Sequence, residues 1–384
     1  MGVSEVVWGL TTLPNSTSTF SINFGDGNTS AFATVTDRSY INLSHIYALA
    51  GTYTATLTVH PSSGPDQTAS VTIRVFDRAA LSDVEKRGLD VNRAIENGLR
   101  FLWYSEANRA SFDTNPYANW DNTSMTALTT LAFENHGYKL PNDDTTPTGL
   151  YEKYAVQRGL NNVFANFIAA QLSNQPHLNP CQGSGSDCVG LQTNFNNVGY
   201  STAIASLPIA GSSALNRHVT TGLAYLVGKT YGEVLQRNIN TVVFNQCDVD
   251  SPSRGGWAYV SNGCSSDSSV VGWNLLALLD GEAAGAVLPA AVRTEFGTVG
   301  GDLNTHALDG HRNDTDGSFD YDANTSEVTA GSVAAKNLAR TSIGLQGLYF
   351  VGEIMGARVN LTCASGEFVT LRRWITEFQR CTGG

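Results

Sequence analysis

The sequence contains no apolar run approaching the roughly 20 residues of a membrane span, so none of its 384 residues reads as transmembrane. Charge is scarce too: Asp, Glu, Lys and Arg make up 15% of the chain, with 23 Lys and Arg against 34 Asp and Glu and a formal net charge of -11. An acidic, Lys-poor chain lacks the basic face that neutralises phosphates, which excludes nucleic-acid binding. Neither a CxxC pair nor an HxxxH spacing occurs, so the common zinc arrangements are missing. After Met1, GVSEVVWGL lacks the basic n-region and apolar core of a secretion signal. Either a signal has been removed or this is a piece of a longer exported chain.

Hydrophobic residues make up 41% of the chain, and its length allows more than one domain. The polar remainder is rich in Ser, Thr, Asn and Gly. Six cysteines fall into three close couples, Cys181 with Cys188, Cys247 with Cys264 and Cys363 with Cys381. Local disulfides are the simplest reading, although six cysteines allow about 15 pairings and a metal site is the rival. Disulfides imply an oxidising compartment, hence an extracellular or cell-surface location. Sequons at Asn15, Asn28, Asn42, Asn122, Asn313, Asn324 and Asn360 are compatible with glycosylation, at a number chance would also produce.

Residues 3–77 read as β. Phe20, Ile22 and Phe24 alternate, as do Tyr53, Ala55, Leu57 and Val59, then Val71, Ile73 and Val75, with turn signals at Gly25, Ala50 and Ser62 between them. Short strands at this spacing predict a small antiparallel sandwich. The FGDG at Phe24–Gly27 and the HxYxxxGxYxxxLxV at His45–Val59 resemble the PKD domain, an immunoglobulin-like module. That resemblance implies a spacer or binding appendage on an exported protein. Asp26 then has a structural task in a tight turn, and His45 packs at a strand end.

After a short link at 78–82, residues 83–384 read as helical. The first helix is amphipathic, with Val91, Ala94, Ile95, Leu99 and Leu102 on one face. A gapped phrase then returns four times: an aromatic residue, a polar stretch and an apolar helix. The clearest copies are RGGWAYVSNGCSSDSSVVGWNLLALL at Arg254 and GSFDYDANTSEVTAGSVAAKNLARTSIGL at Gly317; weaker ones follow Trp120 and Tyr200. Ser265, Ser266 or Asp267 is placed to cap the helix after Trp257. Four further helices are predicted between and after them, over Leu150–Leu172, Leu215–Leu235, Leu288–Phe296 and Glu367–Cys381. Alternation of amphipathic with apolar helices predicts an outer and an inner ring. The phrase resembles the repeats of the terpenoid cyclase/protein prenyltransferase superfamily, which implies an α/α toroid. The expected fold is thus multidomain, an N-terminal β-sandwich plus a C-terminal all-α toroid.

The superfamily's reactive groups do not accompany the resemblance. DxDD is replaced by DVDS at Asp248 and DTDG at Asp314, Asp143-Asp144 is followed by TTP, and Cys247 has a partner in Cys264. What remains is a set of rings expected near one mouth: Trp120, Tyr200, Trp257, Tyr259, Phe319 and Tyr321. Such rings with neighbouring Asn and Asp suit the faces and hydroxyls of a sugar, or else they plug the barrel end. Asp121, Asp267 and Glu327 are the carboxylates placed for acid–base work if the chain is a glycosidase or lyase. Otherwise they cap helices. Asp314, Asp316, Asp320 and Asp322 put hard oxygens on one short loop, either a calcium site or a solvated acidic loop. The expected function is a non-catalytic exported or cell-surface module that binds a glycan or surface protein and self-associates through the sandwich. The alternatives are a secreted carbohydrate-active enzyme and a terpenoid-type cyclase.

Overall fold

The computed structural model describes residues 4–9, 18–35, 41–107, 122–149, 151–180, 189–194, 197–251, 253–297, 306–311, 319, 321 and 338–351. The chain divides into two compact units, 1–114 and 115–384. The first holds β1 (Ser4–Gly9), β2 (Ser18–Asn23), β3 (Ala33–Thr34), β4 (Ile41–Ile46), β5 (Gly51–Pro61) and β6 (Gln67–Val75). β1 pairs with β4, and the other strands form an antiparallel sheet in the order β3-β2-β5-β6. Alternation does the sorting: Phe20, Ile22, Ala55, Leu57 and Val59 from one sheet share a core with Val7 and Ile41 from the other. Each fully buried Val, Ile or Phe contributes roughly 1.5–3 kcal/mol relative to an exposed one.

The FGDG turn shows why its residues recur as a motif. Gly25 has φ +82°, and a Cβ there would run into the backbone of Thr54. Asp26 accepts from the Asn28 amide at 3.1 Å and pairs with His45 Nε2 at 2.7 Å. The His45 ring stacks on Phe24 at 3.9 Å and meets Tyr47 edge-on at 4.7 Å; Tyr47 stacks on Tyr53 at 4.6 Å and donates to the Phe24 carbonyl at 3.0 Å. The His45 hydrogen bond, the largest influence, holds the Asp26 carboxyl below the usual carboxylate range. Asp26 thus has the structural task expected of it in the turn, and His45, expected only to pack at a strand end, is its partner.

α1 (Asp83–Ala107) belongs to this first unit. It is anchored at its start by a bidentate Arg78–Asp90 pair at 2.7 Å. Of its predicted apolar face only Leu99 is buried, alongside Trp103, while Val91 and Ile95 are exposed.

The second unit is mostly helical: α2 (Asn122–Asn135), α3 (Gln157–Ala165), α4 (Val198–Gly211), α5 (Tyr231–Phe244), α6 (Ser268–Ala283), α7 (Ala291–Phe296), α8 (Ala307–Gly310) and α9 (Leu338–Phe350). The four helices that follow the ring-bearing phrases are α2, α4, α6 and α9. They pack in that order, α2 on α4, α4 on α6 and α6 on α9, while α3 lies against α2 and α5 against both α4 and α6. Small residues let the row close up: a Cβ on Gly272 would stand 3.1 Å from Ile343, and one on Gly281 would stand 2.7 Å from Ile239. α4 is apolar or small all round and almost wholly buried, which is what an inner helix requires.

Three expected helices differ. Over Leu150–Leu172, a π-helical turn at Tyr151–Val156 and α3 end at Asn166, and Phe167–Gln171 instead forms β7. β7 pairs antiparallel with β8 (Val189–Thr193), so this half of the chain is not purely helical. The apolar run reads equally well as helix or strand, and only its distant partner decides. The helix expected over Leu215–Leu235 starts late, at Tyr231, where Thr230 and Glu233 form a capping box. Residues 215–229 are turns held by Arg217, which donates to the carbonyls of Asp143 and Thr145 and to Gln157 Oε1. The helix expected over Leu288–Phe296 is reduced to α7, Ala291–Phe296. Glu367–Cys381 lies outside the described residues.

Candidate functional site

The ring-bearing phrase is first a structural device. In the loop before α6, the Cys247–Cys264 disulfide closes a span of 17 residues. Cys247 N donates to Gly256 O at 2.8 Å and Gly255 N to Cys247 O at 2.7 Å. The disulfide is the pairing expected from spacing; Cys181, Cys188, Cys363 and Cys381 lie outside the described residues. Trp257 follows with no exposed surface, its Nε1 donating to Val242 O at 2.9 Å and its ring 5.8 Å from Phe296. Phe319, its counterpart in the next copy, is equally buried and occupies the space a Cβ on Gly344 would need. These two expected ligand platforms are therefore plugs, because neither ring offers a face to solvent.

The phrase also caps helices, and it does so across repeats. Gly199 N, at the start of α4, donates to Tyr259 O at 3.0 Å, and Ser268 N, at the start of α6, donates to Tyr321 O at 2.7 Å. Each loop thus satisfies an orphan amide of the inner helix one copy earlier. Asn274 reinforces the first junction, donating to Gly199 O at 3.0 Å. Asp267 is the N-cap of α6: its Oδ1 accepts from Ser269 N at 2.8 Å, Ser269 Oγ at 2.6 Å and Val270 N at 3.4 Å. A carboxylate oxygen so occupied is a cap.

Two residues after each plug the chain turns outward, and there the rings gather. Tyr259 is 37% exposed. Its ring lies nearly parallel to that of half-buried Tyr200 at 6.0 Å, and Tyr200 meets half-buried Trp273 edge-on at 6.1 Å. Tyr259 OH lies 3.0 Å from Ser269 Oγ, which lies 3.5 Å from Tyr321 OH. The Arg340 guanidinium sits 5.0 Å over the Tyr321 ring. The Ser269 hydrogen bond acts to lower the Tyr321 pKa. The Tyr259 hydroxyl, burial and the Asp267 carboxylate outweigh it, and the phenol is pushed up to about 12. Tyr321 therefore stays a neutral donor.

This rim is open. A cavity beside Phe319, lined also by Ser268, His311, Arg340 and Ile343, measures about 10 Å³, room for one water at most. Trp273 and Arg340 were not among the expected site residues. Helical spacing put Trp273 in the apolar set of its helix, and nothing in the sequence links Arg340 to Tyr321.

Trp120, Asp121, Glu327, Asp314, Asp316, Asp320 and Asp322 lie outside the described residues. Among the described residues no His, Cys, Asp and Glu group is arranged to hold a metal. Asp143 and Asp144 are tied structurally: Asp143 accepts from Thr145 N at 3.0 Å, and Asp144 from His218 N at 2.9 Å while pairing with the His218 ring at 2.8 Å. Among the described residues no helix is long and apolar enough to cross a membrane.

No curated protein matches the sequence. Among solved structures, the chain is similar to a family 76 glycoside hydrolase from a bovine Bacteroides thetaiotaomicron strain, with 9% identity and a TM-score of 0.37 over 97% of this chain and 76% of that one. Residues 8–75 match the PKD domain family, which names the module that the FGDG turn and its aromatic clamp build.

Proposed function

We propose that the helical unit is a carbohydrate-binding module of an exported or cell-surface protein, taking a short glycan on the open rim. The sequence reading sets the limits at 1–77 for the sandwich, 78–82 for the link and 83–384 for the helical domain; the compact unit proposed to carry the glycan is 115–384, α1 belonging to the first unit. The observation that carries it is the cluster of half-exposed Tyr200, Tyr259 and Trp273 rings, with neutral hydroxyls of Tyr259, Ser269 and Tyr321 beside them. Ring faces stack on the apolar faces of sugars, and uncharged hydroxyls exchange hydrogen bonds with sugar hydroxyls. Glycosidic hydrolysis would need a pair of free carboxyl groups, and Asp267 is already committed as a cap. The PKD-like unit serves as a spacer in this reading.

A glycan array followed by calorimetric titration tests it. Tyr259→Ala and Tyr200→Ala are each expected to weaken the best array hit about 10-fold, the worth of one ring contact. A blank array, or unchanged affinity in both variants, overturns the reading. Release of reducing ends from the bound glycan, abolished by Asp121→Asn or Glu327→Gln, would replace it with a glycoside hydrolase.

A further inference from the structure

β6 is an edge strand, paired with β5 on one side and, among the described residues, with nothing on the other. Gln67 through Thr72 are exposed on both faces, whereas Ile73 and Val75, nearer the end of the strand, pack against the shared core. Val71 belongs to the core-facing set, opposite buried Ala55, yet is 51% exposed. Long, flat, exposed edges are templates for another strand, and proteins usually blunt them with proline, a bulge or inward-facing charge. This one has none of these: its single charge, Arg74, points outward, opposite Thr52 on the polar face.

The sequence of the edge is complementary to itself. Antiparallel pairing of two β6 strands about a two-fold axis through Ser70 sets Ala69 opposite Val71 and Thr68 opposite Thr72. It sets Arg74 opposite Asp66, the residue just before the strand. Direction alternates correctly, so core-facing residues meet core-facing ones. Arg74 is exposed, and Asp66 is 54% exposed and pairs with His60 at 2.8 Å. The register makes two opposite-charge cross-strand pairs and no like-charge pair.

We propose that a second copy of this chain docks on β6 in this register, joining the two four-stranded sheets into one continuous sheet. The contact is isologous, so it closes as a dimer and does not propagate into a fibre. Backbone hydrogen bonds supply most of the attraction, Val71 loses its exposed face, and the Arg74–Asp66 pairs fix the register. The proposal is independent of the glycan rim.

Sedimentation equilibrium of the full chain across the micromolar range tests it. The wild type is expected to dimerise. Arg74→Asp sets Asp opposite Asp66, Asp66→Arg sets Arg opposite Arg74, and each is expected to weaken the dimer about 10-fold or more. The double swap Asp66→Arg/Arg74→Asp is expected to restore it to within about threefold. Both positions are solvent-facing, and circular dichroism checks that each variant keeps the sheet. Ser70→Cys, on the axis, is expected to give a covalent dimer under mild oxidation, and Thr72→Cys, opposite Thr68, is not. A monomeric wild type overturns the proposal, as does a double swap that fails to restore the dimer or equal crosslinking at positions 70 and 72.

Discussion

The two units of this chain use the same kind of residue, an aromatic ring beside a tight polar turn, in opposite ways. In the sandwich, Phe24, His45, Tyr47 and Tyr53 form one stack that locks the loop containing Asp26 to the strand next to it. Motif and structural effect occupy the same place. In the helical unit Trp257 and Phe319 plug their own repeats, while the carbonyls of Tyr259 and Tyr321 in the same two phrases cap the helix of the repeat before. A residue type therefore signals local closure in one architecture and coupling between neighbours in the other. The difference follows from geometry: a sandwich closes on itself, whereas stacked helical repeats bring the loop of one repeat to the start of the helix before it, where its carbonyls add to local caps such as Asp267.

The comparison breaks most decisively at Trp257. Trp257→Ala is expected to destabilise the helical unit by roughly 3–5 kcal/mol and to leave no measurable effect on the sandwich, read by calorimetry and by exchange protection of β2 and β5. Retention of α4 and α6 protection in that variant would show the plug is dispensable. Next in size is the disulfide. Cys247→Ser with Cys264→Ser is expected to cost about 3 kcal/mol, for a closed loop of this length, and to weaken glycan binding by loosening Tyr259.

Glu134 on α2 sharpens the contrast through pH. It is fully buried, neither carboxyl oxygen has a hydrogen-bond partner among the described residues, and burial raises its pKa to about 9, against a smaller opposing pull from Lys139. The folded unit holds this proton while the unfolded chain releases it above about pH 4.5. The pH-dependent cost of the site is therefore absent in acid and increases as pH rises from that value toward 9. Glu134→Gln is expected to match wild type near pH 4 and to be more stable by roughly 2–4 kcal/mol at pH 8 in urea unfolding. Equal stability at pH 8 would mean Glu134 is ionised in the fold. Asp26 runs the other way. Its lowered pKa gives stability present above its ordinary value of 3.8 and lost as pH falls through the depressed one. Asp26→Asn is accordingly expected to lower the melting temperature slightly at neutral pH and to flatten its decline in acid. Smallest of all, Tyr321→Phe removes one exposed-rim hydroxyl and is expected to change stability by about 0.5 kcal/mol or less while weakening glycan binding a few-fold.

Much of this was legible from residues. The Phe20–Ile22–Phe24 and Tyr53–Val59 alternations mark the strands, and the aromatic phrase marks the four helices that form the packed row. Close spacing identified Cys247–Cys264, and the TxxE at Thr230 signals a helix start that the longer apolar pattern around it obscured. The placement of Trp257 and Phe319 was not legible in the same way. A ring two positions before a tyrosine reads alike as plug or platform, and only the space beneath Gly344 and beside Phe296 separates them.

Sequence alone determined the elements whose signal is local: the FGDG turn around Asp26, the periodicity of α4 and α6, and the disulfide. Tertiary structure decided everything that depends on a partner far along the chain. It made Phe167–Gln171 a strand because Val189–Thr193 lies beside it, stopped the segment before Tyr231 from becoming helix because Arg217 is bound to Asp143 and Thr145, and turned Tyr259 outward while sealing Trp257 inside. Local pattern fixes what a segment is able to form. Which of its faces loses water depends on neighbours that no window of sequence contains.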